Sequence, residues 1–235
     1  MDKVKIKHTD LEIAPINFGG NVFGWTLDEQ QSFAILNKFT EEGFNFIDTA
    51  DTYAWWVNGI GGQSETIIGK WLKDRRNRES IVLATKVGSQ TQEHGNDISR
   101  KHILKSVDES LQRLGTDYID LYYTHFDDNV TPVEETLAAY DEIVKAGKVR
   151  YIAASQHTGA RLQEALSISV KNALPSYIAL QDHYNLVHRK PFESEQAPVL
   201  AANGLGSFPF YGLARGFLSG KYRPGLKIDS VRAEG

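Results

Sequence analysis

The sequence contains no cysteine and a single methionine. The first absence removes disulfides, thiolate metal sites and cysteine nucleophiles, and it fits a reducing compartment. No stretch approaches the ~20 apolar residues that span a bilayer. The polar opening MDKVKIKHTD has no apolar signal core. Positive charge is not in excess either. The formal net charge of -4 gives no electrostatic reason to expect nucleic acid or an anionic membrane as partner. Low-complexity linkers are also missing, so residues 1–235 read as one domain. These absences together lead us to expect a soluble, cytoplasmic protein. They say nothing of its oligomeric state.

What is present is alternation. VKIKHTDLEI (4–13) reads as a hairpin with His8, Thr9 and Asp10 in the turn. Candidate strands follow at 16–19, 44–48, 81–85, 118–123, 149–154, 177–181 and 205–210. Most are continuous apolar runs, the pattern of parallel strands buried on both faces. Helical stretches lie between them, near 28–41, 64–73, 160–171 and 194–203. The stretch 99–114 puts Ile103, Leu104, Val107, Leu111 and Leu114 on one face, with Ser99 as N-cap and Gly115 just past the end. Thr131-Pro132-Val133-Glu134 reads as a capping box with proline at the first helical position, opening a helix that runs to Gly147.

Regular βα alternation predicts a parallel α/β fold. An open doubly wound sheet that binds a dinucleotide normally carries G-x-G-x-x-G after its first strand. Gly19-Gly20-Asn21-Val22-Phe23-Gly24 lacks that spacing, and Gly59-Ile60-Gly61-Gly62 follows no strand. We therefore expect a (β/α)8 TIM barrel with an N-terminal β-hairpin. The strand count falls one short, and such barrels usually need about 250 residues. The expectation is a barrel truncated before strand eight, with exposed edges that would destabilise it.

In barrels of this kind functional groups gather at the C-terminal ends of the strands. The polar residues there include Asp48, Tyr53, Lys86 and His125, then Ser155, Gln156 and Gln181. An acid, a phenol, a lysine and a histidine suit the reduction of a carbonyl. Hydride attack builds negative charge on the carbonyl oxygen, which a general acid must protonate. A tyrosine does this if an ammonium lowers its pKa from about 10. A carboxylate keeps the ammonium charged, and a histidine orients the carbonyl oxygen. Each residue alone has a plainer explanation: a turn aspartate, a solvated lysine, a packing tyrosine, a satisfied core histidine. Three consecutive strand ends carrying all four are harder to explain that way.

The segments IDTADTY (47–53), ATKVG (84–88), YYTHFDD (122–128), LQDHYNLVHR (180–189) and FYGLARGFLSGKY (210–222) resemble the signature segments of the aldo-keto reductases. The resemblance covers nearly the whole chain and leans to the channel beta-subunit-like and bacterial general branch. It implies a (β/α)8 barrel, an NADP(H) cofactor, reduction of a small-molecule aldehyde or ketone, and an Asp48, Tyr53, Lys86, His125 tetrad with Tyr53 as proton donor. It further implies that Ser155, Gln156 and Gln181 hold the nicotinamide carboxamide. Gly20, Asn21 and Asp48 would lie beside the nicotinamide ribose, and Phe210 would stack on the ring. Tyr211, Leu213, Arg215 and Gly216 would cover the pyrophosphate. Lys221 and Arg232 would approach the adenosine phosphate, where a cation suits a 2′-phosphate.

The sequence departs from that family's pattern at Gln156, where asparagine is usual, at Phe210, where tyrosine usually stacks, and at Gly212, often a proline. Trp25, Trp55, Trp56 and His125 are candidates for the substrate mouth, which would favour apolar or aromatic carbonyls. Two rivals stay open. A Schiff-base aldolase would use a neutral Lys86. A cofactor-binding regulatory subunit would show little turnover. A metal site at His125-Phe126-Asp127-Asp128 lacks a second histidine at useful spacing, so no metal is expected.

Overall fold

The computed structural model describes residues 2–92, 95–223 and 225. A short antiparallel hairpin of Val4–Lys5 (β1) and Glu12–Ile13 (β2) comes first. His8 turns it with φ 65°, and the Thr9 hydroxyl donates to the Ile6 carbonyl at 2.7 Å. A parallel sheet of seven strands follows in chain order. These are Asn17–Gly19 (β3), Phe46–Asp48 (β4), Val82–Val87 (β5), Ile119–Thr124 (β6), Val149–Ser155 (β7), Tyr177–Gln181 (β8) and Gly206–Ser207 (β9). Among the described residues β3 and β9 are the edge strands.

Helices connect the strands: Glu29–Glu41 (α1), Trp55–Asn58 (α2), Gln63–Arg75 (α3), Arg100–Leu114 (α4), Val133–Lys145 (α5), Gly159–Asn172 (α6) and Ala197–Asn203 (α7). No described helix is long and apolar enough to cross a membrane.

Alternation along each strand divides the core in two. Ile47, Leu83, Val87, Tyr122, Ile152 and Leu180 face outward and pack in a large cluster with the helices. Phe46, Val82, Ala84, Leu121, Tyr123, Ala153 and Ala179 face inward, closed by hairpin residues Ile6, Leu11 and Ile13. The sheet curls. Phe46 on β4 meets Phe208, just past β9, edge to face at 5.2 Å, and the Gln181 amide on β8 reaches the Asp48 carboxylate on β4 at 3.4 Å. Among the described residues this is a curled half-barrel of the (β/α)8 kind.

Three local expectations need correction. The strand expected at 44–48 begins at Phe46, because Gly43 (φ 87°) and Phe44 close α1, the latter donating to the Phe39 carbonyl. The strand expected at 205–210 is two residues long, with Phe210 making only an isolated bridge to His183. Thr131 caps nothing. Its hydroxyl and its N–H both go to the Asp128 carboxylate, and Pro132 occupies the cap position without a side-chain bond. The Ser99 cap forms as expected, accepting from the His102 N–H, and Gly115 ends that helix at φ 62°.

Gly69 sits where α3 meets the end of α4. A Cβ there would lie 2.3 Å from the Arg113 carbonyl oxygen and 2.8 Å from the Leu114 carbonyl carbon, both backbone. Gly69→Ala must therefore push two helices apart. We expect a loss of at least about 1–3 kcal/mol, the usual scale of overpacking. Urea unfolding should show a lower midpoint with an unchanged slope. A midpoint equal to that of the parent protein would refute the close approach.

Candidate active site

The inward parity that gives Phe46, Val82, Ala84, Leu121 and Tyr123 to the interior continues to the strand ends. It delivers Asp48 at the end of β4, Lys86 near the end of β5, and His125 just after β6. Tyr53 arrives from the turn after β4. That turn is laid along β5 by Thr49 N–H to the Ala84 carbonyl at 2.9 Å and Asp51 N–H to the Lys86 carbonyl at 3.2 Å.

Lys86 is fully buried. Its Nζ donates to Asp48 Oδ2 at 2.6 Å, to the Thr49 carbonyl at 2.7 Å and to the Tyr53 hydroxyl oxygen at 3.0 Å. Burial disfavours its charge, but Asp48 and the Tyr53 oxygen favour it more, so its pKa stands above the ordinary lysine value. For Asp48, burial pushes the carboxyl up by more than Lys86 and Gln181 pull it down. With three acceptors engaged, the ammonium keeps the proton of the pair.

The Tyr53 phenol does not behave as the sequence suggested. Burial pushes its pKa up, the Asp48 charge adds to that, and the Lys86 ammonium offsets only part. The expected lowering is not found, because burial of the phenol outweighs the pull of the Lys86 ammonium. Tyr53 is held as the neutral phenol. His125 is held neutral as well. Burial and then the Lys86 charge depress its pKa well below the ordinary histidine value. Its ring stacks on Phe126 at 5.0 Å and meets the Tyr53 ring edge to face at 6.0 Å. His125 Nδ1 finds no hydrogen-bond partner among the described residues.

Asp48, Tyr53 and His125 open onto a cleft of about 980 Å³. Asn21, Ser155, Gln156, Gln181 and Phe210 line it, and so do Tyr211, Leu213, Arg215, Gly216 and Lys221. Trp55 and Trp56 line it too. Gly20 lies behind the wall, where its carbonyl accepts from the Ser64 hydroxyl at 2.8 Å. Trp25 is not in the lining; it packs edge to face on Trp56 at 5.4 Å. Arg232 lies outside the described residues.

Three of the lining side chains suit a polar, anionic ligand. The Ser155 hydroxyl is buried and has no partner among the described residues. Arg215 and Lys221 bring positive charge from a segment with five left-handed residues, Tyr211 (φ 55°), Ala214 (φ 47°), Arg215 (φ 54°), Gly216 (φ 97°) and Gly220 (φ 73°). The Arg215 guanidinium lies 4.7 Å from the centre of the Tyr211 ring. Gln156 also adopts a positive φ (52°), and its amide reaches the His125 carbonyl at 3.4 Å. A buried, unpartnered hydroxyl together with cations in one cleft fits a polar, anionic cofactor. Among the described residues no cluster of three or more His, Cys, Asp or Glu is placed to hold a metal ion.

Sequence reasoning missed several lining residues. Ser89 and Phe126 each follow a strand end by two residues, so the strand-end rule could have found them. Asn17, Thr52, His183, Pro209 and Ser219 also line the cleft. His183 stacks on Phe210 at 5.5 Å. Nothing in residue type or spacing marks that contact, since it depends on how the loop after β8 folds back.

Residues 15–234 match the model of the aldo/keto reductase family. The chain is 34% identical over 98% of its length to a probable voltage-gated potassium channel subunit beta of Oryza sativa subsp. japonica, of which it spans 70%. It is 35% identical over 94% of its length to the uncharacterized oxidoreductase YrpG of Bacillus subtilis (strain 168), of which it spans 69%. It is 33% identical over 88% of its length to an L-glyceraldehyde 3-phosphate reductase of Escherichia coli (strain K12), of which it spans 60%.

Proposed function

Because the chain belongs to the aldo/keto reductase family, we propose that it reduces aldehydes or ketones to alcohols with NADPH, using Tyr53 as general acid. The observation that carries this reading is the buried chain of contacts from Asp48 to Lys86 to a neutral Tyr53 phenol beside His125. When bound, the reduced nicotinamide supplies the hydride. The remaining work falls to the protein.

The Tyr53 hydroxyl gives its proton to the carbonyl oxygen as negative charge develops there. A phenol with a raised pKa is fully protonated at neutral pH, as a donor must be. The Lys86 ammonium, already donating to the phenol oxygen, stabilises the phenolate that results. Asp48 holds the ammonium charged and in place. Neutral His125 offers a ring N–H that orients the carbonyl oxygen. Ser155, Gln156 and Gln181 suit a carboxamide. Phe210 offers a ring face, and Arg215 and Lys221 suit phosphate charge. Trp55 and Trp56 give the substrate mouth an apolar wall, which favours aromatic or apolar carbonyls.

A Schiff-base aldolase needs a lysine with a free electron pair. Lys86 is held as the ammonium, with acceptors for all three of its protons, so it is a poor nucleophile. The names of relatives favour a second reading. With a probable potassium channel subunit among them, the protein could serve as a cofactor-binding subunit with little turnover.

One assay separates these readings. NADPH is mixed with the protein and a panel of aldehydes and ketones, and the loss of reduced-nicotinamide absorbance is followed. We expect oxidation that depends on the carbonyl. Cofactor binding by fluorescence with no turnover on any carbonyl would leave only the regulatory reading. Borohydride trapping of a carbonyl substrate on Lys86 would favour the aldolase.

A further inference from the structure

A second acid, Asp51, sits in the turn that delivers Tyr53 and has no part in the chemistry above. Its backbone N–H pins the turn to β5, and the Tyr53 N–H closes the same turn on the Ala50 carbonyl at 3.2 Å. The glycine pair before α3 packs over it. A Cβ on Gly61 (φ 95°) would lie 2.9 Å from Thr52 Cα and 3.0 Å from the Asp51 carbonyl oxygen. A Cβ on Gly62 (φ 82°) would lie 2.7 Å from Arg113 Cδ. Bare backbone thus packs over the buried Thr52 and the half-buried Asp51.

Beneath that cover the charges do not balance. Glu65 on α3 is fully buried and uses both oxygens. Oε2 accepts from Arg113 Nε at 2.6 Å, and Oε1 accepts from the Thr85 hydroxyl at 2.6 Å. Arg113 Nη2 turns to the Ser110 hydroxyl at 3.3 Å. One guanidinium therefore serves Glu65, while Asp51 Oδ1 is buried with no hydrogen-bond partner among the described residues. Lys86 on β5 also acts on Asp51, and the Asp51 charge in turn pushes up the phenols of Tyr122 on β6 and Tyr140 on α5. Tyr122 is fully buried, and its hydroxyl also lacks a partner among the described residues. Two carboxylates beside one guanidinium cannot both ionise cheaply.

We propose that Asp51 is a positioning residue, held as a neutral acid beside the Glu65–Arg113 ion pair, which keeps the 49–53 turn and the Tyr53 hydroxyl in place. Its ionisation sets a second like charge against Glu65 and loosens that turn. Burial and the Glu65 charge push the Asp51 carboxyl up to about 8, against the pull of Arg113, the Thr52 N–H and Lys86. The proposal rests on the reading of Tyr53 as proton donor, and it also predicts something independent of that reading.

The sign is fixed by linkage. A carboxyl raised in the folded state binds a proton that the unfolded chain releases near its ordinary pKa of about 4. The stabilisation is complete below about 4 and is lost as the pH rises towards about 8. Asp51→Asn cannot ionise. Its stability relative to the parent should climb through that window and level off above it. Parallel stability curves for parent and variant would overturn the proposal.

The pH dependence of kcat gives a second reading. Above about 8 the parent's kcat should fall roughly tenfold per pH unit, as for loss of one essential proton. KM should change little, and Asp51→Asn should lack that limb. A limb that persists unchanged in Asp51→Asn would also overturn the proposal. If the parent turns over no carbonyl, the Tyr53 reading fails while the stability curves still test Asp51. If the variant does not fold, titration of the assigned Asp51 carboxyl carbon by NMR in the parent decides. A midpoint near about 8 supports the proposal, and one near about 4 refutes it.

Discussion

Tyr53→Phe is expected to lower carbonyl-dependent kcat by at least about a hundredfold, the scale of a lost general acid. Cofactor affinity should be unaffected. The substitution removes one oxygen and keeps the ring, so the contact with His125 at 6.0 Å survives. It takes one of three acceptors from Lys86 and leaves Asp48 and the Thr49 carbonyl in place. The stability cost of the unpaired N–H is therefore about 1–3 kcal/mol, small enough for a folded variant. Activity equal to the parent's, measured with saturating NADPH, would move the proton donor elsewhere. A parallel loss of cofactor binding would point to general disruption of the cleft.

Lys86→Met is expected to cost more in stability than any other change at the site. It leaves Asp48 buried, with Oδ1 unpartnered among the described residues and Oδ2 reached only by the Gln181 amide at 3.4 Å. Breaking a buried ion pair on one side typically costs about 3–5 kcal/mol. The loss should depend on pH in one direction. Without the ammonium the folded-state pKa of Asp48, already raised by burial, rises further. Its neutral form is then favoured on folding, so stability is complete below the unfolded value of about 4 and is lost as the pH rises. Lys86→Met should thus be closest to the parent in acid and furthest from it at neutral pH. The double variant Asp48→Asn/Lys86→Met should recover part of the loss at neutral pH, since no charge remains to bury. Thermal unfolding of both variants over a pH series checks this. A double variant no more stable than the single one would show that packing, not the stranded carboxylate, sets the cost.

The convergence of the candidate residues was legible in the sequence because a simple rule locates it. Strand ends on one face of a parallel barrel converge, and Asp48, Lys86 and His125 share the inward parity of Phe46, Val82, Leu121 and Tyr123. The hairpin, the order of the strands and the Ser99 cap follow from patterns a few residues long, so they were legible too. Other features depend on distant parts of the chain. The direction of the Tyr53 pKa is set by burial, which spacing does not report. Thr131 looked like a cap until Asp128 claimed its hydroxyl. Trp25 and Gly20 lie near the site but behind its surface, a matter of which way a loop faces. Asp51 sits inside the most recognisable segment of all, yet its environment comes from α3 and α4. Neighbours that far along the chain are invisible to a motif.

Lys86 spends all three of its N–H bonds on protein oxygens. A cation tethered at three points cannot swing to greet a ligand or trail after one that leaves. The electric field it casts on the Tyr53 oxygen is therefore preorganised, set when the chain folds and not at the moment of reaction. In water, dipoles must turn each time charge moves, and that turning makes up much of a barrier. At this site the turning is done once, when the chain folds, and under the proposed role of Tyr53 each proton transfer would start from its result.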